Sequence, residues 1–302
     1  MTRHEPVLLK ETLEGLNLRA GTVAIDCTLG DAGHSEGILN AIGPDGRLLG
    51  IDADAEAILR ANRFLYNFEG RTVFIRGNFA ELEKIAVENG FVPADAILMD
   101  LGWSTPQFEE RGRGFSFQKD EPLDMRYDAG NNKPTAKEIL QNYSNEELVK
   151  IFKEYGEEQL SREIAGDICA YRKNKTIETS GELAEIILKT YRKKLNTDKE
   201  VPWIGGLHPA TKVFQALRIE VNNELQALKS ALPQAIKILN KGGRLAVITF
   251  HSLEDRIVKR YFQSPANKEF LPINKKPITA GTEELNGNPK SRSAKLRIIE
   301  KK

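Results

Sequence analysis

The stretch that most limits what this chain can become is residues 22–34, TVAIDCTLGDAGH, where an apolar run gives way to a turn punctuated by glycine. Val23, Ala24 and Ile25 have the pattern of a buried parallel strand, and Gly30 and Gly33 let the backbone turn sharply and approach a ligand where a Cβ would obstruct it. The next apolar run, 47–51, leads into Asp52, where a carboxylate can accept both hydroxyls of an adenosine ribose. Gly30 and Gly33 do not complete G-x-G-x-x-G, so the turn by itself leaves S-adenosylmethionine and NAD both open as the cofactor.

From this turn onward strand and helix alternate. After an entry helix over 7–18, the spacing predicts strands over 22–28, 47–51, 72–76 and 95–101, with helices near 35–41, 55–67 and 79–89 between them. Such alternation implies right-handed crossovers and a parallel sheet covered on both faces, an α/β fold whose ligands sit at the carboxyl ends of the strands. Gly30, Asp52, Asn78 with Phe79, and Asp100 all fall at such ends.

After Gly102 the alternation stops. Residues 103–134 have no sustained periodicity and are rich in Gly, Pro, Arg and Asp, and a loop of this length is commonly functional. Its aromatics, Trp103, Phe108, Phe115, Phe117 and Tyr127, argue against plain disorder. Helices alone are expected from 135 to about 195, over 135–142, 145–154, 157–172 and 180–194, with Ser144 and Ser180 as N-caps. They predict an all-helical domain, 109–208, inserted into a discontinuous α/β domain made of 1–108 and 209–302. A long helix from Pro209 to about 228, a further helix to 239 and a turn at Lys241-Gly242-Gly243 lead back to a strand over 244–250. Ser252 would cap the next helix, and 295–300 would form an antiparallel edge strand.

Composition excludes several classes. No stretch approaches the length of apolar chain needed to span a bilayer, and the start, MTRHEPVLLKE, has neither a secretory nor a transit pattern, so no membrane association and a cytoplasmic location are expected. Two cysteines, Cys27 and Cys169, build neither a disulfide framework nor a zinc cluster, and no metal is expected. Lys and Arg total 44 against 43 Asp and Glu, so no global charge marks a polyanionic partner. Basic residues cluster locally at 190–195 and 286–302, where they could meet phosphates.

Further segments are more specific than composition. HEPVLLKE (4–11), DCTLGDAGHS (26–35), DLGWSTPQ (100–107), RGRGFSF (111–117), PLDMR (122–126), YGEE (155–158), HPATKVFQALRIEVNNEL (208–225), GGRLAVITFHSLEDRIVK (242–259) and NPKSRS (288–293) occur in this order along nearly the whole chain. On these segments the chain resembles the RsmH (MraW) family of S-adenosylmethionine-dependent 16S rRNA (cytosine-N4) methyltransferases. The resemblance implies a Rossmann-like class I methyltransferase sheet with an inserted helical domain, and N4-methylation of a cytidine in the decoding region of small-subunit ribosomal RNA. The substrate so implied is an assembled or late-assembling 30S subunit, met by a monomer or homodimer.

Carried over residue by residue, the resemblance places the cofactor at Ala32, Gly33, His34, Asp52, Phe79, Asp100 and Gln107. Backbone N–H groups from Ala32 to His34 can meet the methionyl carboxylate at a helix N-terminus. Asp52 would hold the ribose, Phe79 would lie on the adenine, and Asp100 would face the cationic end. The chain departs from the family at Asp31 and Ala32, where two further glycines are usual. Asp100 and His251 are the candidate catalytic residues. Arg111, Arg113, Phe115, Phe117, Arg126, Arg218, Asp255 and Arg256 are the candidate RNA contacts, since arginines meet phosphates and aromatic rings stack on bases. Two other readings keep the same fold: an NAD-dependent dehydrogenase, which would lack an obvious Tyr-x-x-x-Lys pair, and a non-catalytic RNA-binding assembly factor.

Overall fold

The computed structural model describes residues 5–101, 112–130, 132–199, 201, 203 and 206–302. The chain divides into two compact units, 1–104 with 225–302 and 105–224. In the first, strands β1 (Val23–Asp26), β2 (Arg47–Asp52), β3 (Thr72–Arg76) and β4 (Ala94–Asp100) alternate with helices α1 (Leu9–Leu16), α2 (Gly33–Ala41), α3 (Ala55–Phe64) and α4 (Leu82–Glu88). The expected parallel sheet is present. Among the described residues seven strands assemble in the order β3-β2-β1-β4-β5-β7-β6, where β5 is Leu239–Thr249, β6 Phe270–Pro272 and β7 Lys295–Lys301. The first five run parallel and β7 is antiparallel to β5.

Chain order reverses between β1 and β4, which is where a doubly wound sheet opens a crevice at its carboxyl edge. Alternate residues of each strand feed two apolar layers. Ile25, Leu49, Ile51, Ile97, Met99, Leu245 and Val247 face one. Ala24, Leu48, Ala96, Leu98, Ala246 and Ile248 face the other. Burial on both faces is why these strands read as unbroken apolar runs.

Two expectations for this unit are corrected. Residues 241–243 form no turn between helix and strand; β5 begins at Leu239 and runs through them, with Gly242 at φ 77°. The C-terminal strand is not the edge, because β6 pairs outside it through Phe270↔Lys301, Leu271↔Glu300 and Pro272↔Ile299. Three residues containing a proline give no periodic signal in sequence. No helix among the described residues is long and apolar enough to cross a membrane.

The second unit is helical: α5 (Ala136–Asn142), α6 (Asn145–Glu154), α7 (Ser161–Tyr171), α8 (Ser180–Leu195) and α9 (Thr211–Asn222). Thr135 with Glu138 and Ser144 with Glu147 form reciprocal capping boxes that fix where α5 and α6 begin. The cap of α8 is Thr179 rather than Ser180, whose hydroxyl donates to the Lys119 carbonyl at 2.8 Å. This unit begins at 105 and ends at 224, later than the expected 208, because α9 places Val213, Phe214, Ala216, Leu217 and Val221 in the same core as Phe152, Ile164, Leu183 and Ile187. An amphipathic helix read alone does not reveal which core its apolar face joins.

Among residues 112–130, which precede α5, a buried carboxylate ties two turns together. Glu121 accepts from the Gly114 N–H at 3.0 Å, and its own N–H donates to Ser180 Oγ at 3.0 Å. Gly114 has φ 72°, and a Cβ there would stand 2.6 Å from the Pro122 carbonyl oxygen, so glycine is required on both counts. Phe152 is fully buried at the centre of the helical core. Phe152→Ala is expected to cost about 3–5 kcal/mol, measured as the loss of unfolding free energy in denaturant melts followed by helix content.

Candidate active site

Strands β1, β2 and β4 each end on an aspartate, Asp26, Asp52 and Asp100, and β1 lies between the other two. Three neighbouring carboxylates at one sheet edge repel one another and lose hydration, so each needs donors. Asp26 is 1% exposed; it accepts from Ser35 Oγ at 2.6 Å and from the Thr28 N–H at 3.1 Å. Burial still dominates and pushes its carboxyl up to about 6, against the lowering effects of Ser35, His34 and Thr28. Asp52 holds the Gly30 N–H through Oδ2 and the Asp54 N–H through Oδ1, both at 2.9 Å. Burial likewise pushes it up to about 6.

Asp100 differs from these two. Its N–H donates to Thr28 Oγ1 at 2.7 Å, and its Oδ2 lies 3.4 Å from His34 Nδ1. Its Oδ1 is buried and has no hydrogen-bond partner among the described residues. A buried carboxylate oxygen without a donor is costly unless a ligand supplies one.

The glycine-punctuated turn is built as its residue types require. The Gly30 N–H on Asp52 ties the turn to the end of β2. Gly33 opens α2, and a Cβ there would be 3.0 Å from Pro6 Cγ, so the segment before α1 packs directly on the helix start. Ala32, the N-cap, sits at φ 59°, the left-handed region that costs an L-residue about 1–2 kcal/mol. Its methyl is fully buried, which offsets roughly 0.8 kcal/mol of that cost. Asp31 pairs through Oδ1 with Arg60 Nε of α3 at 2.8 Å, so the charge that replaces a glycine is neutralised. Phe79 begins a short 3₁₀ turn after β3, started by Asn78, whose side chain accepts from the Ala80 N–H at 2.8 Å.

The sequence profile of the MraW methylase family matches residues 1–302. The chain belongs to that family. It is 42% identical over 314 residues to the ribosomal RNA small subunit methyltransferase H of Clostridioides difficile (strain 630), covering 99% of this chain and 98% of that protein. It is 43% identical over 316 residues to the enzyme of the same name from Thermomicrobium roseum, covering 99% and 94%. An rRNA methylase structure from Streptococcus thermophilus matches over 97% of this chain and 93% of its own at 10% identity and a TM-score of 0.44, too distant to add to the argument.

The chain is therefore a methylase with a Rossmann-like class I sheet, and its methyl donor is S-adenosylmethionine. The dehydrogenase reading falls with that membership. The residues present fit the donor: Asp100 Oδ1 lacks a hydrogen-bond donor, and each Asp52 oxygen, already steadied by one backbone N–H, keeps a lone pair for a hydroxyl. Gln107 and Arg111 lie outside the described residues.

Other candidates have structural partners. After α10 (Glu224–Ile238) and β5, His251 caps α11 (Ser252–Phe262) in a capping box with Glu254, so the cap lies one residue earlier than the expected Ser252. Its Nε2 is 3.1 Å from Glu254 Oε1 but makes no hydrogen bond. Asp255 accepts from Arg297 Nε of β7 at 2.7 Å and lies 3.4 Å from Lys295 Nζ, pinning α11 to the sheet; Arg256 follows it on that helix. In the helical unit Arg113 donates to the Arg126 and Tyr127 carbonyls, and Arg126 forks onto Asp124.

Phe115 and Arg218 are both 4% exposed. Phe115 stacks on Tyr127, and Arg218 makes a two-pronged pair with Glu224 at 2.9 and 3.0 Å. Neither presents a surface to a base or phosphate, and the expectation that they contact RNA is corrected. Phe117 stacks on His208 with ring centres 4.4 Å apart.

Sequence reasoning missed Thr28, Ser35, Arg60 and the Val7 carbonyl as parts of the site. Thr28 and Ser35 lie inside DCTLGDAGHS, where Thr28, two residues after Asp26, was an available signal and Ser35 carried none. Arg60 carried none, since a helix arginine 29 residues from its partner looks like any solvated charge. The Asp31–Arg60 pair is only 13% and 21% exposed, so it should exceed an ordinary surface ion pair. Asp31→Asn and Arg60→Gln are each expected to lower stability by about 1 kcal/mol, and the double variant by clearly less than the sum, in thermal melts of the four proteins.

Proposed function

We propose that this chain transfers a methyl group from S-adenosylmethionine to the N4 amine of a cytidine in the decoding region of small-subunit ribosomal RNA. The observation that carries the reading is Asp100, which ends β4 at the reversal of strand order with a buried oxygen that no donor among the described residues meets. Family membership and the names of the two relatives support the ribosomal substrate.

When bound, the cofactor supplies an electrophilic methyl on a sulfonium. The remaining work belongs to the chain. Asp52 accepts the ribose hydroxyls, Phe79 lies on the adenine, and the N–H groups of Gly33 and His34 at the start of α2 face the methionyl carboxylate, whereas that of Ala32 donates to the Leu29 carbonyl at 2.7 Å and leaves Ala32 only a packing role there. The cytosine amine is a weak nucleophile because its lone pair is delocalised into the ring, so much of the barrier reduction must come from alignment. Asp100, or the Leu101 carbonyl beside it, accepts an N–H of that amine and stabilises positive charge as it appears on nitrogen. His251, at the end of the neighbouring strand, is the second candidate group. The helical unit serves recognition, with Arg113, Phe117 and Arg126, together with Asp255 and Arg256 of the sheet unit, at or beside RNA, probed in an assembled or late-assembling 30S subunit.

Incubation with immature small subunits and tritiated cofactor should place label in a single cytidine; cofactor binding without label would favour a non-catalytic assembly factor. Cofactor affinity should also depend on pH through Asp52. Its carboxyl is raised to about 6, so the charged acceptor form dominates above that value and is lost as pH falls through it. S-adenosylhomocysteine affinity measured by calorimetry is expected to fall from pH 7.5 to 5. Asp52→Asn should weaken binding at pH 7.5 at least tenfold and shrink this pH response.

A further inference from the structure

His34 is buried between two oxygens. Its Nε2 is 3.0 Å from the carbonyl oxygen of Val7, in the segment before α1, and its Nδ1 is 3.4 Å from Oδ2 of Asp100. Neither the carbonyl nor an ionised carboxylate has a proton to give. A neutral imidazole carries one N–H, so it would leave its second nitrogen's lone pair facing an oxygen lone pair. A doubly protonated ring satisfies both contacts. The charged groups that face it are Asp100 from β4 and Asp26 from β1. Burial alone would lower the imidazole pKa, but Asp100, Asp26 and the Val7 carbonyl outweigh it and hold the pKa above 6.5.

The consequence for Asp100 is an asymmetry between its oxygens. Thr28 fixes its backbone and His34 engages Oδ2, which leaves Oδ1 buried and unmet. The 3.4 Å separation is long for a tight hydrogen bond, so the contact draws on the charge of the ring as well as on the direction of its Nδ1–H. The ring cannot at the same time turn toward a ligand without abandoning Val7 or Asp100.

We infer that His34 is a positioning residue: its ring is an imidazolium that holds Oδ2 of Asp100 and thereby aims Oδ1 at the reacting groups, while only its backbone N–H is available to the cofactor. This rests on the reading of Asp100 as part of the methyl-transfer site. It assigns the N-terminal segment a role as well, because Val7 fixes the far side of the same ring.

The test has two arms. In the free protein, nitrogen-detected imidazole spectra should show both His34 ring nitrogens protonated at pH 7, and Asp100→Asn should make the ring neutral at that pH. A single-proton tautomer in the unaltered protein, or a protonation state indifferent to Asp100→Asn, would overturn the inference. The second arm uses the fact that an Asn side-chain amide superposes on imidazole Nδ1 and a Gln amide on Nε2. His34→Asn keeps a donor for Asp100 and is expected to bind S-adenosylhomocysteine within about threefold of the unaltered protein. His34→Gln keeps only the donor for Val7 and should bind about tenfold more weakly. The reverse order would show that the Val7 contact is what matters and would also overturn the inference. If the unaltered protein did not bind S-adenosylhomocysteine at all, the cofactor reading would fail instead, and the spectra would still decide the state of His34. They would also decide it if neither variant folded.

Discussion

Three adjacent parallel strands ending in carboxylates set the terms for the rest of this site. Parallel packing brings the ends of β1, β2 and β4 together at one edge, so Asp26, Asp52 and Asp100 share a region that water only partly reaches. Left alone, such a cluster would bind protons at neutral pH, and Asp26 and Asp52 do move part of the way there. What keeps the cluster from collapsing into neutral acids is a set of donors placed one by one: Ser35 and the Thr28 N–H on Asp26, the Gly30 and Asp54 N–H groups on Asp52, and His34 beside Asp100. Most of these donors belong to the turn after β1. The turn therefore does more than make room for a ligand; it makes the carboxylates tolerable.

The same logic explains how the turn accommodates residues other than glycine. Ala32 holds a left-handed conformation that glycine would hold without strain, and recovers part of the cost by burying its methyl among Val7, Leu29 and Ile38. Asp31 would add a fourth carboxylate to an acidic edge, and Arg60 meets it from α3. Both departures are local solutions, because neither needs the strands to move. Backbone direction at the turn is set by Gly30 at φ 51°, whereas Gly33 is constrained by its close contact with Pro6.

The fold was legible where periodicity carries information. Apolar runs bounded by glycine and polar residues marked the first five strands, and Ser144 marked the start of one helix. Boundaries that depend on tertiary packing were not legible. Nothing in residues 211–222 says whether their apolar face joins the sheet or the helices, and a three-residue strand at 270–272 has no period to detect. At the site, strand-end aspartates and the turn could be placed from sequence, but their partners could not. Arg60, Thr28 and the Val7 carbonyl act through spatial neighbours 29, 72 and 27 residues away in sequence.

Arginine shows most plainly why composition stops short of function. A guanidinium offers five donors in a plane, and a phosphate, a carboxylate and a pair of backbone carbonyls all satisfy that geometry. In the helical unit Arg113 takes the carbonyls of Arg126 and Tyr127, Arg126 takes Asp124, and Arg218 takes Glu224. Arg113 and Arg126 fold the segment 113–127 on itself, while Ser180, Asn222 and Glu224 join it to the helices through Glu121, Met125 and Tyr127, which is a plain reason for RGRGFSF and PLDMR to carry arginine even without a nucleic acid. Arg218 is committed by burial, since separating it from Glu224 would strand a charge in the core. Arg113 and Arg126 hold their partners nearer the surface, where exchanging a carbonyl or carboxylate for a phosphate costs much less. A polyanion that engages Arg113 or Arg126 has to do so by exchange of existing partners, so segment order and binding at these two side chains are coupled.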